Sequence, residues 1–314
     1  MGDLHVVFGA SGGAGGAVVR ALAERGERVR AVRRGRRGDL PPEVETVVAD
    51  AMDANAARAA CAGATVVYHC VNTPYSDWPA TLPVIMDNLI AGAGAAAATL
   101  VYCDNLYMYG PVDGPMTEET PRAATGAKGR LRVMLERTLL EAHTAGRVRA
   151  AIGRGSDFFG PGATNTVAAQ LVFAPVVAGR RGRWVGSLDR PHSLNYIDDF
   201  ARGLITLGGE PAAAGQVWHI PAVAAPTGRE FIHAVCRAAG RRPKAGVFPR
   251  WLIRIVAVFD RTMRELLEVL YQFERAFTMD AGKYIRTFGE PGLTPLDRAV
   301  ARTLDWHRQV AGSG

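Results

Sequence analysis

The sequence predicts an α/β fold, a doubly wound parallel sheet with a smaller C-terminal lobe. Two observations carry this expectation. Through the first half of the chain, short apolar runs alternate with stretches of helical periodicity, the pattern of strands joined by crossover helices. The first run, Val6 to Phe8, also opens directly into Gly9-x-x-Gly12-x-x-Gly15, after which Val18, Val19 and Leu22 take up helical spacing between Ala17 and Ala23. Strand, glycine turn and helix in that order let the backbone close on a phosphate. Gly9 permits the tight turn, Gly12 a close approach and Gly15 the packing of helix on strand, while the helix N-terminus offers free N–H groups and a positive dipole end. Gly9, Ser11, Gly12, Gly13, Ala14 and Gly15 are therefore the expected contacts to a dinucleotide.

Arg28 to Arg34 reads as the second strand. At the end of that strand an acid bonds the ribose 2′-hydroxyl of NAD, whereas arginine accommodates the 2′-phosphate of NADP. Arg33 and Arg34 stand there, Arg36 and Arg37 follow, and no acid appears before Asp39. Because guanidinium groups pair bidentately with phosphate, NADP is expected ahead of NAD. Glu45 to Ala49 reads as a third strand ending at Asp50-Ala-Met-Asp53, and Thr65 to Val71 as a fourth, apolar enough to be covered on both faces. The polar and aromatic loop Asn72 to Trp78 then lies at the strand edge where such sheets bind ligands. A helix within Thr81–Ala98, a strand at Leu100–Cys103, a helix over Lys128–Ala145 and a strand at Arg149–Ile152 complete the regular part.

Beyond that point the pattern loosens. Gly153 to Gly162 reads as a loop, Trp184–Gly186 and Ser193–Ile197 as short strands, and Asp198–Ile205 as a helix whose aspartates suit its N-terminus. Pro249 to Phe277 is strongly amphipathic. The acids Asp260, Glu265, Glu268 and Glu274 interleave with its arginines, which favours a core-packing or pocket-lining role over a membrane-surface one, with Trp251 and Phe159 as core residues. Residues 1–155, with parts of 185–225, are expected to form the dinucleotide-binding domain, and 156–314 most of a substrate-binding lobe.

The 314 residues hold 37 basic and 30 acidic side chains, a net charge of +7, and only three lysines: Lys128, Lys244 and Lys283. No helix-turn-helix, finger or RNA-binding motif accompanies the excess of arginine, so no nucleic-acid partner is expected. No apolar run reaches membrane-spanning length, and no membrane partner is expected either. Cys61, Cys70, Cys103 and Cys236 have neither metal nor redox spacing, so no metal site is expected. With the short stretch ahead of the first strand, these cysteines fit a reducing cytoplasm.

These residues resemble the extended short-chain dehydrogenase/reductase family in its NAD-dependent epimerase/dehydratase branch, and the resemblance covers nearly the whole chain. Val7 to Gly15 matches the family's glycine opening. Asp50, with Ala51 beside it, matches the position that contacts the adenine, and Cys70-Val71-Asn72 the strand end beside the cofactor. Leu100 to Pro111 is similar to the strand and Tyr-Gly segment, Arg154 to Gly162 to the segment near the nicotinamide, and Tyr196-Ile-Asp-Asp199 to the late Val-x-Val-Asp-Asp segment. The resemblance implies a Rossmann sheet, a nicotinamide cofactor, a small-molecule substrate and, as is usual among relatives, a homodimer through helices flanking the sheet.

The chain departs from the family at its chemistry. The family's Ser or Thr, Tyr and Lys would fall at Asn105, Lys128 and Arg132, and there is no tyrosine between Tyr109 and Tyr196. Lys128 could act as acid/base if burial and the neighbouring cations Arg130 and Arg132 lower its pKa. Asn105 would then donate to a substrate oxygen, with Tyr107 as a second proton donor. The competing expectation is that Lys128 pairs with the cofactor or with Glu118 or Glu119. Trp78, Asp157, Phe158 and Tyr196 are the expected substrate contacts, and the surrounding aromatics suit a hydrophobic or aromatic carbonyl or alcohol. Two other functions stay open: a nucleotide-binding regulator without redox turnover, and a non-redox lyase, isomerase or cyclase on the same fold.

Overall fold

A computed structural model describes residues 2–35, 40–223, 225–248, 250–259, 264 and 267–312. Arg36, Arg37, Asp39, Asp260, Met263, Glu265 and Leu266 lie outside the described residues. The strands β1 (Leu4–Phe8), β2 (Arg28–Arg33), β3 (Glu45–Val48), β4 (Val66–His69), β5 (Thr99–Asp104) and β6 (Arg149–Arg154) fall where the apolar runs predict them. The helices α1 (Gly13–Ala23), α2 (Ala54–Cys61), α3 (Trp78–Ala95) and α4 (Ala127–Thr144) join them.

The central sheet has seven strands in the order β10-β6-β5-β4-β1-β2-β3, where β10 is Val217–His219, and every pairing in it is parallel. Side chains of successive strand residues enter opposite faces. Leu4, Val6 and Phe8 meet Leu82, Met86, Leu135 and Leu139 of α3 and α4 on one side. Val7 meets Val18, Val19 and Leu22 of α1, with Phe200 and Leu204 of α6 (Ile197–Gly209), on the other. Both faces are therefore dry, and β4 is buried at every position. The strand order reverses between β1 and β4, and such a switch point is where doubly wound sheets bind ligands.

The rest of the chain forms a separate core around Phe159, Phe173, Trp184, Phe231 and Phe273. It includes α5 (Ala174–Val177), β8 (Gly182–Val185), β9 (Leu194–Tyr196), α7 (Gly228–Ala238), β11 (Ala245–Phe248), α8 (Arg250–Phe259), α9 (Tyr271–Glu274) and, after α10 (Gly282–Phe288), whose Tyr284 and Phe288 return to the core of the central sheet, α11 (Leu296–Gly312). Thr227 and Glu230 close a reciprocal capping box at the start of α7.

Several expectations change here. The segment read as a loop after Gly153 contains β7 (Asp157–Phe159), which pairs in parallel with β9. Phe159 is buried as expected, but Trp251 is 63% exposed, because Ile253 and Ala257 form the inward face of α8. Asp198 and Asp199 do not cap α6 through side-chain hydrogen bonds. Asp198 instead pairs with Arg20 of α1, and the buried Asp199 accepts from Thr294 and Arg202, so the two carboxylates tie α6 to its neighbours.

Candidate active site at the ends of the parallel strands

The glycine loop lies at the switch point with the geometry a dinucleotide needs. Gly9 has φ +81°, and a Cβ there would stand 2.5 Å from the carbonyl oxygen of Cys70 at the end of β4. A Cβ on Gly15 would stand 2.3 Å from the carbonyl oxygen of Gly9, so both positions need glycine for close approach. No side chain caps the N-terminus of α1 at Gly12, so its first N–H groups are left to an anion, with Ser11 and Gly12 exposed and Gly13 and Ala14 half-buried. Arg33 is half-buried and Arg34 exposed at the end of β2. Asp50 is exposed and accepts from the Met52 N–H, Ala51 is buried beneath it, and Val71 and Asn72 continue from β4 beside Gly9. These residues fit a dinucleotide.

The three expected catalytic residues come together around a fourth. Asn105 accepts from the Tyr107 N–H at 3.0 Å through its side-chain oxygen, which leaves its amide nitrogen to donate. The Tyr107 hydroxyl lies 2.9 Å from that of Tyr75, and the Lys128 ammonium stands 4.9 Å over the Tyr75 ring. Lys128 does not reach Glu118 or Glu119. It is buried at the start of α4, where its Nζ bonds Glu268 at 3.2 Å and its backbone N–H the same carboxylate at 2.7 Å. Glu118 instead accepts from the backbone N–H of His219. The cations expected to press on Lys128 also turn away: Arg130 donates to the Thr125 carbonyl, and Arg132 to Tyr102 and Asp104. Burial, then the neighbours Tyr75 and Asp157, push the Tyr107 phenol well above its ordinary value, so it carries its proton at neutral pH.

Asp157 faces the same space from β7, with its side chain 24% exposed. Its carboxylate lies 2.6 Å from Nε2 of His192, and Nδ1 of that buried ring lies 3.2 Å from the Gln272 carbonyl oxygen. Since both ring nitrogens face oxygens, a proton sits between Asp157 and His192. The ring is held by near-parallel stacking on Phe273, 5.0 Å between centroids. Tyr271 completes the wall, its phenol pushed up to about 12 by burial and by the carboxylates Glu268 and Asp157.

The other expected substrate contacts lie elsewhere. Trp78 is buried, donates its indole N–H to the Thr73 carbonyl, and sits beneath the Arg132 guanidinium at 4.2 Å. Tyr196 is buried in the C-terminal core against Phe159. Phe158 is half-buried and packs edge-on to Phe200. Sequence reasoning missed Tyr75, His192, Glu268 and Tyr271, which converge from three separate segments. Tyr75 was legible as an aromatic in the ligand-edge loop, whereas nothing local marks the others.

Behind the pocket lies a second, enclosed cluster. Arg154 donates to Asp104, Glu136 and Tyr109 at 3.0, 2.5 and 2.8 Å. The Tyr109 hydroxyl lies 2.7 Å from Nε2 of His219, whose Nδ1 lies 2.9 Å from the Asp280 carbonyl oxygen. A neutral ring protonated on Nδ1 satisfies every partner. Burial, with Arg154 nearby, lowers the His219 pKa to about 3. Arg132, at the position of the family's lysine, belongs to this cluster.

A family model described as the NAD dependent epimerase/dehydratase family matches residues 5–220. The chain belongs to that family. The uncharacterized protein y4nL of Sinorhizobium fredii (strain NBRC 101917 / NGR234) is 23% identical over 228 residues, covering 68% of this chain but only 63% of that relative's own length. Among solved structures, dTDP-glucose 4,6-dehydratase from Bacillus anthracis in complex with NAD superposes with a TM-score of 0.80 at 13% identity, over 98% of this chain and 97% of its own. WbmH of Bordetella bronchiseptica with NAD+ gives 0.77 at 18% identity, over 98% and 99%. MoeE5 in complex with UDP-glucose and NAD gives 0.76 at 19%, over 99% and 100%. At these identities the likeness is one of fold. No helix among the described residues is long and apolar enough to cross a membrane, and no group of side chains among them could hold a metal.

Proposed function

We propose that this protein is an NADP-dependent oxidoreductase or epimerase-like enzyme that acts on a hydrophobic or aromatic carbonyl or alcohol with a non-standard proton relay. The observation that carries the reading is the chain Tyr107–Tyr75–Lys128–Glu268, whose Lys128 stands at the start of α4 where the family keeps its tyrosine, and whose Tyr107 follows the end of β5 where the family keeps its Ser or Thr. Residues 156–314, apart from the returning α6 and β10, form the substrate-facing lobe.

Gly9, Ser11, Gly12, Gly13, Ala14 and Gly15 hold the pyrophosphate, Arg33 and Arg34 the 2′-phosphate, Asp50 and Ala51 the adenine, and Val71 and Asn72 the adjoining ribose and ring. When bound, the dinucleotide supplies or accepts a hydride. Tyr107 enters as the acid, since its raised pKa keeps the proton on its oxygen, and Tyr75 stands within hydrogen-bond distance to replace that proton. Lys128 stabilises the pair electrostatically through the Tyr75 ring, while Asn105 donates to the substrate oxygen. Asp157, backed by His192, fixes a substrate hydroxyl. A homodimer through α3 and α4 is supported by the shallow groove that Val133, Arg137, Leu140 and Glu141 line along α4. The four free cysteines support a cytoplasmic location.

The test is calorimetric titration of nucleotide-free protein with NADPH and NADH, followed by the nicotinamide absorbance with a panel of aromatic carbonyls. Tight NADPH binding and oxidation are expected, with turnover abolished in Lys128→Ala while folding and nucleotide affinity persist. Binding without turnover on any carbonyl would make the protein a nucleotide-dependent regulator. Product formed without cofactor consumption would make it a lyase or isomerase. No binding of either nucleotide would remove the reading altogether.

A further inference from the structure

The net positive charge of this protein is concentrated in one part of the chain. Residues 158–188 and 231–259 together contain nine arginines and lysines and no aspartate or glutamate, against +7 for all 314 residues, so the remainder is slightly acidic. The fold brings the two segments together, since β8 and β11 pair in parallel from Ala245↔Gly182 to Phe248↔Val185. A Cβ on Gly246 would meet the side chains of Arg181 and Arg183, and one on Gly179 would meet the guanidinium of Arg241, so the cations of one segment lie against the backbone of the other. Arg181, Arg183, Arg241, Arg242 and Lys244 are all exposed.

The same edge carries an apolar stripe. On α8, Trp251, Ile255 and Val258 are 63%, 53% and 64% exposed and recur at the spacing of one helix face, opposite the buried Ile253 and Ala257. Val247 of β11 is exposed beside them. Half of the eight large apolar side chains exposed among the described residues thus fall within residues 247–258.

We propose that α8 and the β8/β11 edge form a docking surface for an anionic lipid membrane, with α8 lying in the plane of the interface. An amphipathic helix with an indole and branched aliphatic side chains on one face, following a strand pair with exposed arginines, is built for that boundary. The apolar face sinks to the acyl level, the indole sits among the headgroups, and the guanidinium groups neutralise anionic lipid. Charge complementarity decides the occupant. Two paired segments with nine cations and no carboxylate of their own disfavour cationic partners and attract anionic ones. A nucleic acid would use the arginines but would leave Ile255 and Val258 in water. The proposal is independent of the reaction assigned above, and it departs from the absence of a membrane partner expected from sequence, because the exposure of Trp251 becomes visible only in the fold.

The test is flotation of the full chain with vesicles of phosphatidylcholine alone and of phosphatidylcholine with phosphatidylserine, with a DNA duplex as competitor. The protein is expected to float with the anionic vesicles only and to be released by high salt. Ile255→Asp with Val258→Asp is expected to weaken binding at least about tenfold while nucleotide affinity stays unchanged. In the unmodified chain, brominated lipid is expected to quench the tryptophan emission, a readout that does not depend on a variant folding. Failure to bind anionic vesicles, binding unchanged in the double variant, absence of quenching, or complete displacement by DNA would each overturn the proposal.

Discussion

Two clusters of charged and phenolic side chains grow from the same two strand ends, and solvent reaches only one of them. Asp104 closes β5 and Arg154 closes β6, and both side chains are completely enclosed. Three residues further along each segment stand Tyr107 and Asp157, the latter 24% exposed, facing the pocket with Lys128 and Glu268. The chemistry of the two sets is alike: carboxylates, cations, phenols and one histidine each. What differs is access. In the inner cluster the carboxylates, Arg154, Tyr109 and His219 are met by other fixed groups, although the buried Arg132 Nε–H has no partner, so the cluster can hold strands together but is closed to a substrate. In the outer one, Asn105 keeps a free donor and Asp157 an exposed edge. A buried ionic network is therefore not in itself a sign of catalysis.

The sharpest way to break this contrast is to remove one phenolic oxygen from each side. Tyr107→Phe is expected to lower turnover about 10²–10⁴-fold, the range for loss of a positioned proton donor. It would cost only about 1 kcal/mol of stability for the lost bond to Tyr75. Tyr109→Phe, in the inner cluster, is expected to shift the chemical-denaturation midpoint and leave kcat unchanged. Equal losses of activity in the two variants would show that the clusters are not functionally distinct.

Asp104→Ala comes next, and its effect falls on the fold. It leaves Arg154 and Arg132 buried without their shared carboxylate, a change that costs about 3–5 kcal/mol in comparable buried pairs. Glu268→Ala, the matching cut in the half-open cluster, should cost well under half as much in urea unfolding, since water can replace the lost carboxylate. If the two costs are similar, the pocket is as closed as the inner network.

Acid titration separates the two regions more gently. His219 in the inner cluster and His69 at the end of β4 are both held to about 3 by burial, with Arg154 and Arg132 as the second causes. Unfolded histidines protonate near 6.5, so below that pH the unfolded chain takes up protons that the folded chain refuses. Stability is fully present above about pH 6.5 and falls as pH drops towards 3, by up to about 1.4 kcal/mol per unit for each ring. Unfolding free energies measured across that window should show the slope, and His69→Gln should reduce it by about half. A flat profile would mean that the rings are not held neutral.

The difference between the clusters also marks how far the sequence could be read. The strands β1 to β6 and the glycine loop are local signals, set by apolar runs, by periodicity and by the space around Gly9 and Gly15, and they stand within a few residues of where the pattern puts them. Asn105 and Lys128 stood out in the sequence because they occupy positions where the family pattern places its Ser or Thr and its Tyr, and Tyr107 because it follows the same strand end. His192 and Glu268 were not legible, because each depends on long-range closure: Lys128 meets Glu268 across 140 positions, and His192 meets the Gln272 carbonyl across 80. Trp78 and Trp251 were misplaced for a related reason. An aromatic residue in an amphipathic stretch does not say which face the rest of the fold will cover, and here Trp78 is covered while Trp251 is bare.

The smallest effect is expected at the cofactor's outer end, where the sequence argument and the solved relatives point in different directions. The relatives with bound nucleotide hold NAD, whereas this chain puts Arg33 and Arg34 at the end of β2. That end is firmly placed, because the Arg33 carbonyl accepts from the Ala49 N–H and locks β2 to β3. A side-chain change there should therefore act on the ligand and spare the sheet. Arg34→Ser is expected to weaken NADPH binding about tenfold, or about 1.4 kcal/mol, by removing one cation from the 2′-phosphate, and to leave NADH binding unchanged. Isothermal titration of both nucleotides against the two proteins reads the effect directly. An equal loss for NADH and NADPH would mean that Arg34 supports the adenosine in general. No loss for either would leave the arginines as solvated surface and remove the argument for NADP.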